Sequence, residues 1–101
     1  MAISLSEPLH PGEVLREDYL VPLRLTAGRL AKVLGVPRTR IERIVKQEVG
    51  ITTDTALRLS RYFDTTADFW MNLQIAYDLR INAEQLEDEL ARITPRQHAE
   101  A

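Results

Sequence analysis

The sequence predicts an all-α fold, a compact domain of five to six helices. Apolar residues recur every three or four positions along most of the chain, the spacing that forms one face of a helix. Proline, glycine, threonine and asparagine stand between these stretches, where they are suited to begin or end helices. No segment reads as a strand of useful length. With 101 residues, 45% of them hydrophobic and 28% charged, the chain has the composition of one globular domain.

The first half of the chain predicts three helices. Pro11 suits the first position of a helix, because its fixed φ and missing N–H cost nothing there, and Pro22 is expected to stop that helix. Thr26 is a plausible N-cap for the second helix, and Gly35 supplies the residue that ends it. Pro37 is expected to open the third. The predicted ranges are 11–20, 27–34 and 37–46.

The second half predicts two or three more helices. The fourth is expected to begin after Thr53, and Thr65 or Thr66 is expected to cap the fifth. Asn82 is a candidate cap for a last helix, with Gln85 as its capping-box partner. The predicted apolar faces comprise Ala56, Leu57, Leu59 and Phe63 in the fourth helix, Phe69, Trp70, Leu73, Ala76 and Tyr77 in the fifth, and Leu86, Leu90 and Ile93 in the last.

Several classes of function lack the residues they would need. The absence of cysteine excludes disulfides, thiolate metal sites and cysteine nucleophiles. The two histidines, His10 and His98, are far apart in sequence, so neither a zinc site nor a catalytic pair is expected, and His10 is predicted to sit at a helix start. We therefore expect no enzyme, no cofactor and no metal. The N-terminus does not resemble a signal peptide and no run approaches the ~20 apolar residues of a membrane span, which favours a cytoplasmic protein without a membrane partner.

Charge is distributed unevenly along the chain. The net charge is −2, yet residues 24–46 carry seven basic side chains and one acid, Glu42, a net charge of +6. The rest of the chain therefore carries −8. A basic face on an acidic body is typical of a protein that binds a polyanion. From charge alone, the alternative to a polyanion-binding surface is a solvated helix face that happens to be basic.

Residues 25–44 predict a helix, a glycine-containing turn and a second helix. Ala31 is small where the two helices would meet, and Gly35 tolerates a sharp turn. Val36 and Ile41 are branched apolar residues placed to pack beneath the turn. Together these features are the signature of a helix-turn-helix motif, whose second helix enters the major groove of DNA. The predicted organisation is an N-terminal arm over 1–10, a DNA-binding domain over 11–80 with the motif at about 26–46, and a C-terminal helix and tail over 81–101.

The motif supplies a set of candidate DNA-binding residues. The planar fork of an arginine matches the O6 and N7 atoms of guanine, and a threonine can contact a base edge or a phosphate. Arg40 lies to the side of the predicted reading face and is expected to grip a phosphate. The amides at a helix start can also hold a phosphate. The candidates are Arg38, Thr39, Arg40, Arg43 and Lys46 in or beside the second helix, and Ala27 and Gly28 at the start of the first.

Four segments outside the motif carry a family likeness: HPGEVL at 10–15, GIT at 50–52, TALRL at 55–59 and FWMNLQ at 69–74. Together with the motif, they resemble the XRE/Cro helix-turn-helix family of phage-type, lambda-repressor-like proteins. The likeness is closer to one branch, the HigA-type antitoxins, and it covers about residues 8–80. The chain departs from the family pattern in two places: Ala27 stands where many members have glutamine, and Gln47 and Glu48 stand where a loop glycine is common.

The resemblance implies a homodimer that represses transcription by binding an inverted-repeat operator in double-stranded DNA of its own promoter. It also implies a toxin partner, a small basic protein that cleaves messenger RNA. Two other readings stay open: a stand-alone phage or mobile-element regulator without a toxin, and a protein-binding inhibitor whose helix-turn-helix is vestigial. The outward arginines argue against the second of these.

Surfaces outside the motif give less definite predictions. Trp70 is expected in the core, with an interaction hot spot as the alternative. The stripe of Leu86, Leu90 and Ile93 and the face around Phe69 and Trp70 are the two candidate dimer seams. Acidic residues on the first and last helices are expected to form a solvated face or a face for a basic partner, rather than a metal site. They are Glu13, Glu17, Asp18, Glu84, Glu87, Asp88 and Glu89.

Overall fold

The computed structural model describes residues 7–97, which form six helices and no strand, and it confirms the all-α prediction. The first helix, α1, covers residues 11–23 and changes its hydrogen-bonding pattern along its length, from α over Pro11–Val14 to π over Leu15–Leu20 and back to α over Val21–Leu23. The other helices are α2 (Ala27–Leu34), α3 (Arg38–Val45), α4 (Thr53–Phe63), α5 (Ala67–Gln85) and α6 (Glu87–Ala91). The predicted features at 1–6 and at His98 lie outside the described residues.

The start of α1 is fixed by a capping side chain and by close packing on α3. His10 precedes the helix, and its Nδ1 accepts the N–H of Gly12 at 2.8 Å, so the predicted place of His10 at a helix start is confirmed. A Cβ on Gly12 would lie 1.8 Å from the carbonyl oxygen of Ile44, in the last turn of α3. Only a residue without a side chain lets the two backbones approach this closely.

Pro22 does not stop α1, so that prediction was wrong. The helix continues to Leu23 and ends at Arg24, whose φ of 52° is left-handed. A proline inside a helix removes one N–H and crowds the carbonyl four residues earlier. The preceding turns are wider than in an α-helix, as the bond from the Val21 N–H to the Arg16 carbonyl shows. The wider winding relieves the crowding between the ring of Pro22 and the carbonyl four residues earlier.

The prediction that Asn82 caps a separate last helix was also wrong. Asn82 lies inside α5, and its Nδ2 donates to the Asp78 carbonyl oxygen at 2.7 Å. Strong helix formers surround it, and they continue the helix through Gln85 in spite of the capping signal. The predicted cap at Thr66 is confirmed, whereas α4 is capped by Thr52, one residue earlier than expected.

The core lies where α1, α2, α3, α4 and α5 meet. Trp70 is fully buried, as predicted, and its indole Nε1 donates to the Thr65 hydroxyl at 2.8 Å. Leu57 was expected on the buried face of α4 and is instead 61% exposed. Ala76 was expected inward and is also exposed. The largest buried apolar side chains beside Trp70 are Leu15, Leu30, Ile41, Ile44 and Leu59.

Candidate nucleic-acid interface

The turn between α2 and α3 has the backbone that the motif requires. Gly35 has a φ of 73°, in the left-handed region that penalises residues with a Cβ. Its N–H donates to the Lys32 carbonyl at 3.2 Å, and the Val36 N–H donates to the Ala31 carbonyl at 3.0 Å. Ala31 and Ile41 are buried at the contact between the two helices. The predicted helix-turn-helix geometry is therefore present, with its turn at residues 35–37.

The side of α3 that faces away from the core is basic and open to solvent. Two of its arginines pair with acids on the same surface: Arg38 Nε lies 3.2 Å from a Glu42 carboxylate oxygen, and Arg43 Nε lies 3.5 Å from one of Glu48. Ion pairs this exposed contribute little stability, so exchanging each acid for a phosphate or a base edge costs little. The exposed candidates on this side are Arg38, Thr39, Arg43 and Lys46.

The start of α2 lies beside the start of α3. Thr26 caps α2 as predicted, and its Oγ1 accepts the Arg29 N–H at 3.1 Å. The Arg38 side chain passes over Gly28, with its Cδ 3.0 Å from the place that a Cβ would occupy. Ala27 and Gly28 are half-buried in this position. The amide end of α2 and the basic tip of α3 thus form one surface, which combines a helix N-terminus with arginine donors.

Arg40 differs from the other candidates because its guanidinium is held by α4. Its Nη1 lies 2.6 Å from Asp54 Oδ2, and the Nε of Arg58 lies 3.0 Å from the same oxygen. Arg58 also donates through Nη1 to the Leu34 carbonyl at the end of α2, at 2.7 Å. The hydrogen bonds from Arg58 and Arg40 lower the pKa of Asp54. These residues link α2, α3 and α4 in one network on the flank of the basic face.

Sequence reasoning missed Asp54 and Arg58. Their spacing of four residues on one helix is the spacing of an ion pair and could have suggested their contact. The partnership of Asp54 with Arg40, 14 residues away, depends on how α3 packs on α4, and no local pattern contains it. The structure brings the predicted site residues into one region, with Arg40 alone tied to a carboxylate of another helix.

The loop after α3 is fastened to α5. Gln47 adopts a left-handed φ of 63°. It lies in the loop where the family that the sequence resembles commonly has a glycine. The Ile51 N–H donates to Gln74 Oε1 at 2.6 Å, and Gln74 Nε2 donates to Asp78 at 2.9 Å. Gln74 is thus a structural anchor, and it lies in the FWMNLQ segment that carried the family likeness.

His10 is buried next to the same loop. The residue is 3% exposed, and its ring packs edge-on against Tyr77, with 4.8 Å between the ring centroids. Burial lowers the pKa of His10, and the nearby Asp78 carboxylate and a hydrogen bond with the Val49 backbone oppose this only in part. The imidazole is therefore kept neutral, with Nδ1 as the acceptor that caps α1. His10 serves packing and capping, as its place at a helix start indicated.

No helix within residues 7–97 is long and apolar enough to cross a membrane. Among the same residues, no group of three or more histidine, aspartate or glutamate side chains is arranged to hold a metal ion.

A family model described as helix-turn-helix matches residues 16–70, which include the end of α1, the motif, α4 and the start of α5. Among curated proteins, virulence-associated protein I of Dichelobacter nodosus is 53% identical over 87 residues, 86% of this chain and 80% of that protein. Antitoxin HigA-1 of Vibrio cholerae is 30% identical over 88 residues, 87% of this chain and 83% of that protein.

Solved structures give the same assignment. The Pseudomonas aeruginosa antitoxin HigA, determined with the higBA promoter, superposes with a TM-score of 0.88 at 39% identity, over 90% of this chain and all of that one. The chain belongs to the helix-turn-helix family of XRE type, and within it to the HigA-type antitoxins.

Proposed function

We propose that this protein is a homodimeric transcriptional repressor, which binds an inverted-repeat operator and serves as the antitoxin of a toxin–antitoxin pair. The observation that carries the proposal is the continuous basic surface formed by α3 and the start of α2. Family membership supports it, and so does the promoter in the structure of the Pseudomonas antitoxin. Since one recognition helix covers only a few base pairs, two copies are needed, with half-sites ~34–36 Å apart.

In this docking α3 lies in the major groove. Arg38 and Thr39 reach bases from its tip, and Arg43 reaches a base one turn later. Arg40 and Lys46 contact phosphates on the flanks, and the amides of Ala27 and Gly28 hold a phosphate at the start of α2. These contacts need no rearrangement of the helices, because the exposed side chains already extend from one surface.

A gel-shift series on the promoter duplex tests the docking. Arg43→Ala is expected to weaken operator binding by ~1–3 kcal/mol and to relax base preference at one position of each half-site. Arg40→Ala is expected to weaken all sequences alike and to reduce the salt slope by about one unit. Arg61→Ala is the matched control, since Arg61 is an exposed arginine on α4 outside the basic segment. Wild-type binding by both the Arg43 and the Arg40 variants would refute this docking.

The antitoxin half of the proposal rests on family membership and on the charge of the remaining surface. Residues outside 24–46 carry −8, and exposed acids lie on α1 and along α6. A toxin that cleaves RNA needs a basic surface, so complementary charge would speed and orient the encounter. The experiment is co-expression with the product of the neighbouring gene. Co-purification and rescued growth support the antitoxin, whereas their absence identifies a stand-alone regulator.

The acidic surfaces can be tested separately in that complex. One variant reverses the charges of Glu13, Glu17 and Asp18 on α1, and a second reverses those of the C-terminal cluster. Association should slow at low salt and recover toward the wild-type rate at high salt, because the exposed charges are screened. If neither variant slows association at low salt, the acidic surface is not the partner site, and the antitoxin proposal must rest on apolar contacts or be given up. The cluster of the second variant comprises Glu84, Glu87, Asp88 and Glu89.

A further inference from the structure

Asp54 stands between two arginines on the flank of the basic face. It lies in the first turn of α4, and its Oδ2 is 2.6 Å from Arg40 Nη1 and 3.0 Å from Arg58 Nε. All three side chains are partly exposed, so a phosphate can approach them from solvent. Two positive charges and one negative charge give this group a net charge of +1.

Arg40 can contact a phosphate without leaving Asp54. A guanidinium has five N–H donors, and the contact with Asp54 is made through Nη1, which leaves the donors on Nε and Nη2 outside it. The nearby carboxylate nevertheless repels an approaching phosphate. With Asp54 as its partner and no second cation beside them, Arg40 would belong to a neutral pair and would attract a phosphate only weakly.

Arg58 supplies the second cation, and two helices hold it in place. Its Nε donates to Asp54, four residues earlier on α4, and its Nη1 donates to the Leu34 carbonyl at the end of α2, at 2.7 Å. The hydrogen bond from Arg58 is the largest of the effects that lower the pKa of Asp54. Arg58 is therefore the main partner of this carboxylate, and Arg40 is the second.

We propose that Arg58 is a positioning residue for DNA binding: it neutralises Asp54, so that Arg40 acts on a phosphate with its whole charge. In this arrangement Asp54 fixes the place of the Arg40 guanidinium, and Arg58 cancels the charge that Asp54 brings. Arg58 thus acts through its neighbours and does not touch the DNA. This inference rests on the phosphate contact of Arg40 in the proposed function.

Arg58→Ala should weaken DNA binding as much as Arg40→Ala does, because it leaves Asp54 to neutralise Arg40. Loss of one phosphate contact weakens binding by about 15-fold at 0.05 M salt and about fourfold at 0.2 M, and lowers the salt slope by about one. The loss should be the same for the promoter duplex and for an unrelated duplex, since phosphates carry no sequence information. Gel shifts at the two salt concentrations measure it.

A second substitution in the same chain tests the pathway through Asp54. Adding Asp54→Asn to Arg58→Ala removes the acid that neutralises Arg40, so affinity and salt slope should return to wild-type values. If the double variant stays as weak as Arg58→Ala, Arg58 contacts the phosphate itself and the proposal is overturned. Asp54→Asn alone should bind at least as tightly as the wild type. A loss as large as that of Arg40→Ala would show that Asp54 is needed to hold Arg40, which also overturns it.

The comparison separates this role from a merely structural one. Arg58→Ala and its double variant both lack the bond to the Leu34 carbonyl, so a defect caused by that bond cannot be rescued by Asp54→Asn. Arg61→Ala is the matched control, because it removes an exposed arginine from the same helix beside the same groove. It should lose much less affinity than Arg58→Ala.

Circular dichroism confirms that each variant is folded under the conditions of the gel shift. Arg58→Lys gives a further test that does not depend on the stability of the alanine variant. It keeps the positive charge beside Asp54 and should therefore keep the wild-type salt slope. A folded Arg58→Lys protein whose slope falls by about one would overturn the proposal.

The failures of the two proposals are distinguishable. A wild-type chain that does not retard the promoter duplex refutes the proposed function and, with it, the role of Arg58. A wild-type chain that retards the duplex and is weakened by Arg40→Ala supports the proposed function. If Arg58→Ala then binds like the Arg61→Ala control, the role of Arg58 is refuted and the proposed function stands.

Discussion

Replacing Gly12 with alanine should destabilise the whole domain through one atom. The added Cβ would meet the Ile44 carbonyl oxygen at 1.8 Å and the Ile44 carbonyl carbon at 2.8 Å. Because these are backbone atoms in the last turn of α3, relief requires α1 and α3 to move apart by roughly 1 Å or more. Overpacking of a core costs ~1–3 kcal/mol, and a clash with backbone belongs at the upper end. In a domain of this size ~3 kcal/mol lowers Tm by ~12 °C or more.

Thermal unfolding followed by circular dichroism measures this effect, and urea unfolding gives the free energy directly. Gly28→Ala is the control, because its Cβ meets only the flexible Arg38 side chain, at 3.0 Å, and alanine favours a helix interior. Its Tm should equal or exceed that of the wild type. If Gly12→Ala unfolds within ~2 °C of the wild type, which is under ~0.5 kcal/mol, the close approach of α1 to α3 does not constrain the fold.

Two further predictions concern the ends of α1 and α3. Since burial lowers the pKa of His10 below its ordinary 6.5, the unfolded chain takes up the proton first as pH falls. The free energy of unfolding should therefore be level above pH 7 and decline below about pH 6.5. Urea unfolding between pH 7 and 5 measures this decline. If a His10→Asn variant declines just as steeply, His10 is not its cause. Gln47→Gly should raise the free energy of unfolding by ~1 kcal/mol because φ is 63° there, whereas Gly35→Ala should lower it by a similar amount. If the wild type, Gln47→Gly and Gly35→Ala have equal Tm values, the left-handed backbone is not strained at either residue 47 or residue 35.

The parts of the fold that were predicted correctly depend on interactions between near neighbours. The bounds of α2 were predicted because Thr26 and Gly35 act on the adjacent backbone, through a cap and a left-handed turn. The same local chemistry located the cap at Thr66. Periodicity also identified the buried faces of α2 and α3, because short amphipathic helices have one side to bury.

The wrong predictions concern choices that local signals do not decide. Pro22 is a strong stop signal, yet the π winding of α1 absorbs it. Asn82 is a good cap, yet the helix around it continues. Leu57 fits the apolar side of α4 in periodicity, but the neighbouring helices leave it uncovered. The ion pair of Asp54 with Arg40 likewise exists only because α3 and α4 pack together.

The recognition helix, α3, is held along its whole length by contacts with the other helices. Its start is set by the Gly35 turn, its flank by Asp54, and its end by the contact of the Ile44 carbonyl with α1. The loop that follows is bonded to Gln74 on the side of α5 that faces the core. The recognition helix is therefore held by α1, α4 and the Gly35 turn, and the loop after it is held by α5. Because these contacts fix the backbone of α3, removing the side chain of Arg43 should change the contacts with DNA without moving the helix.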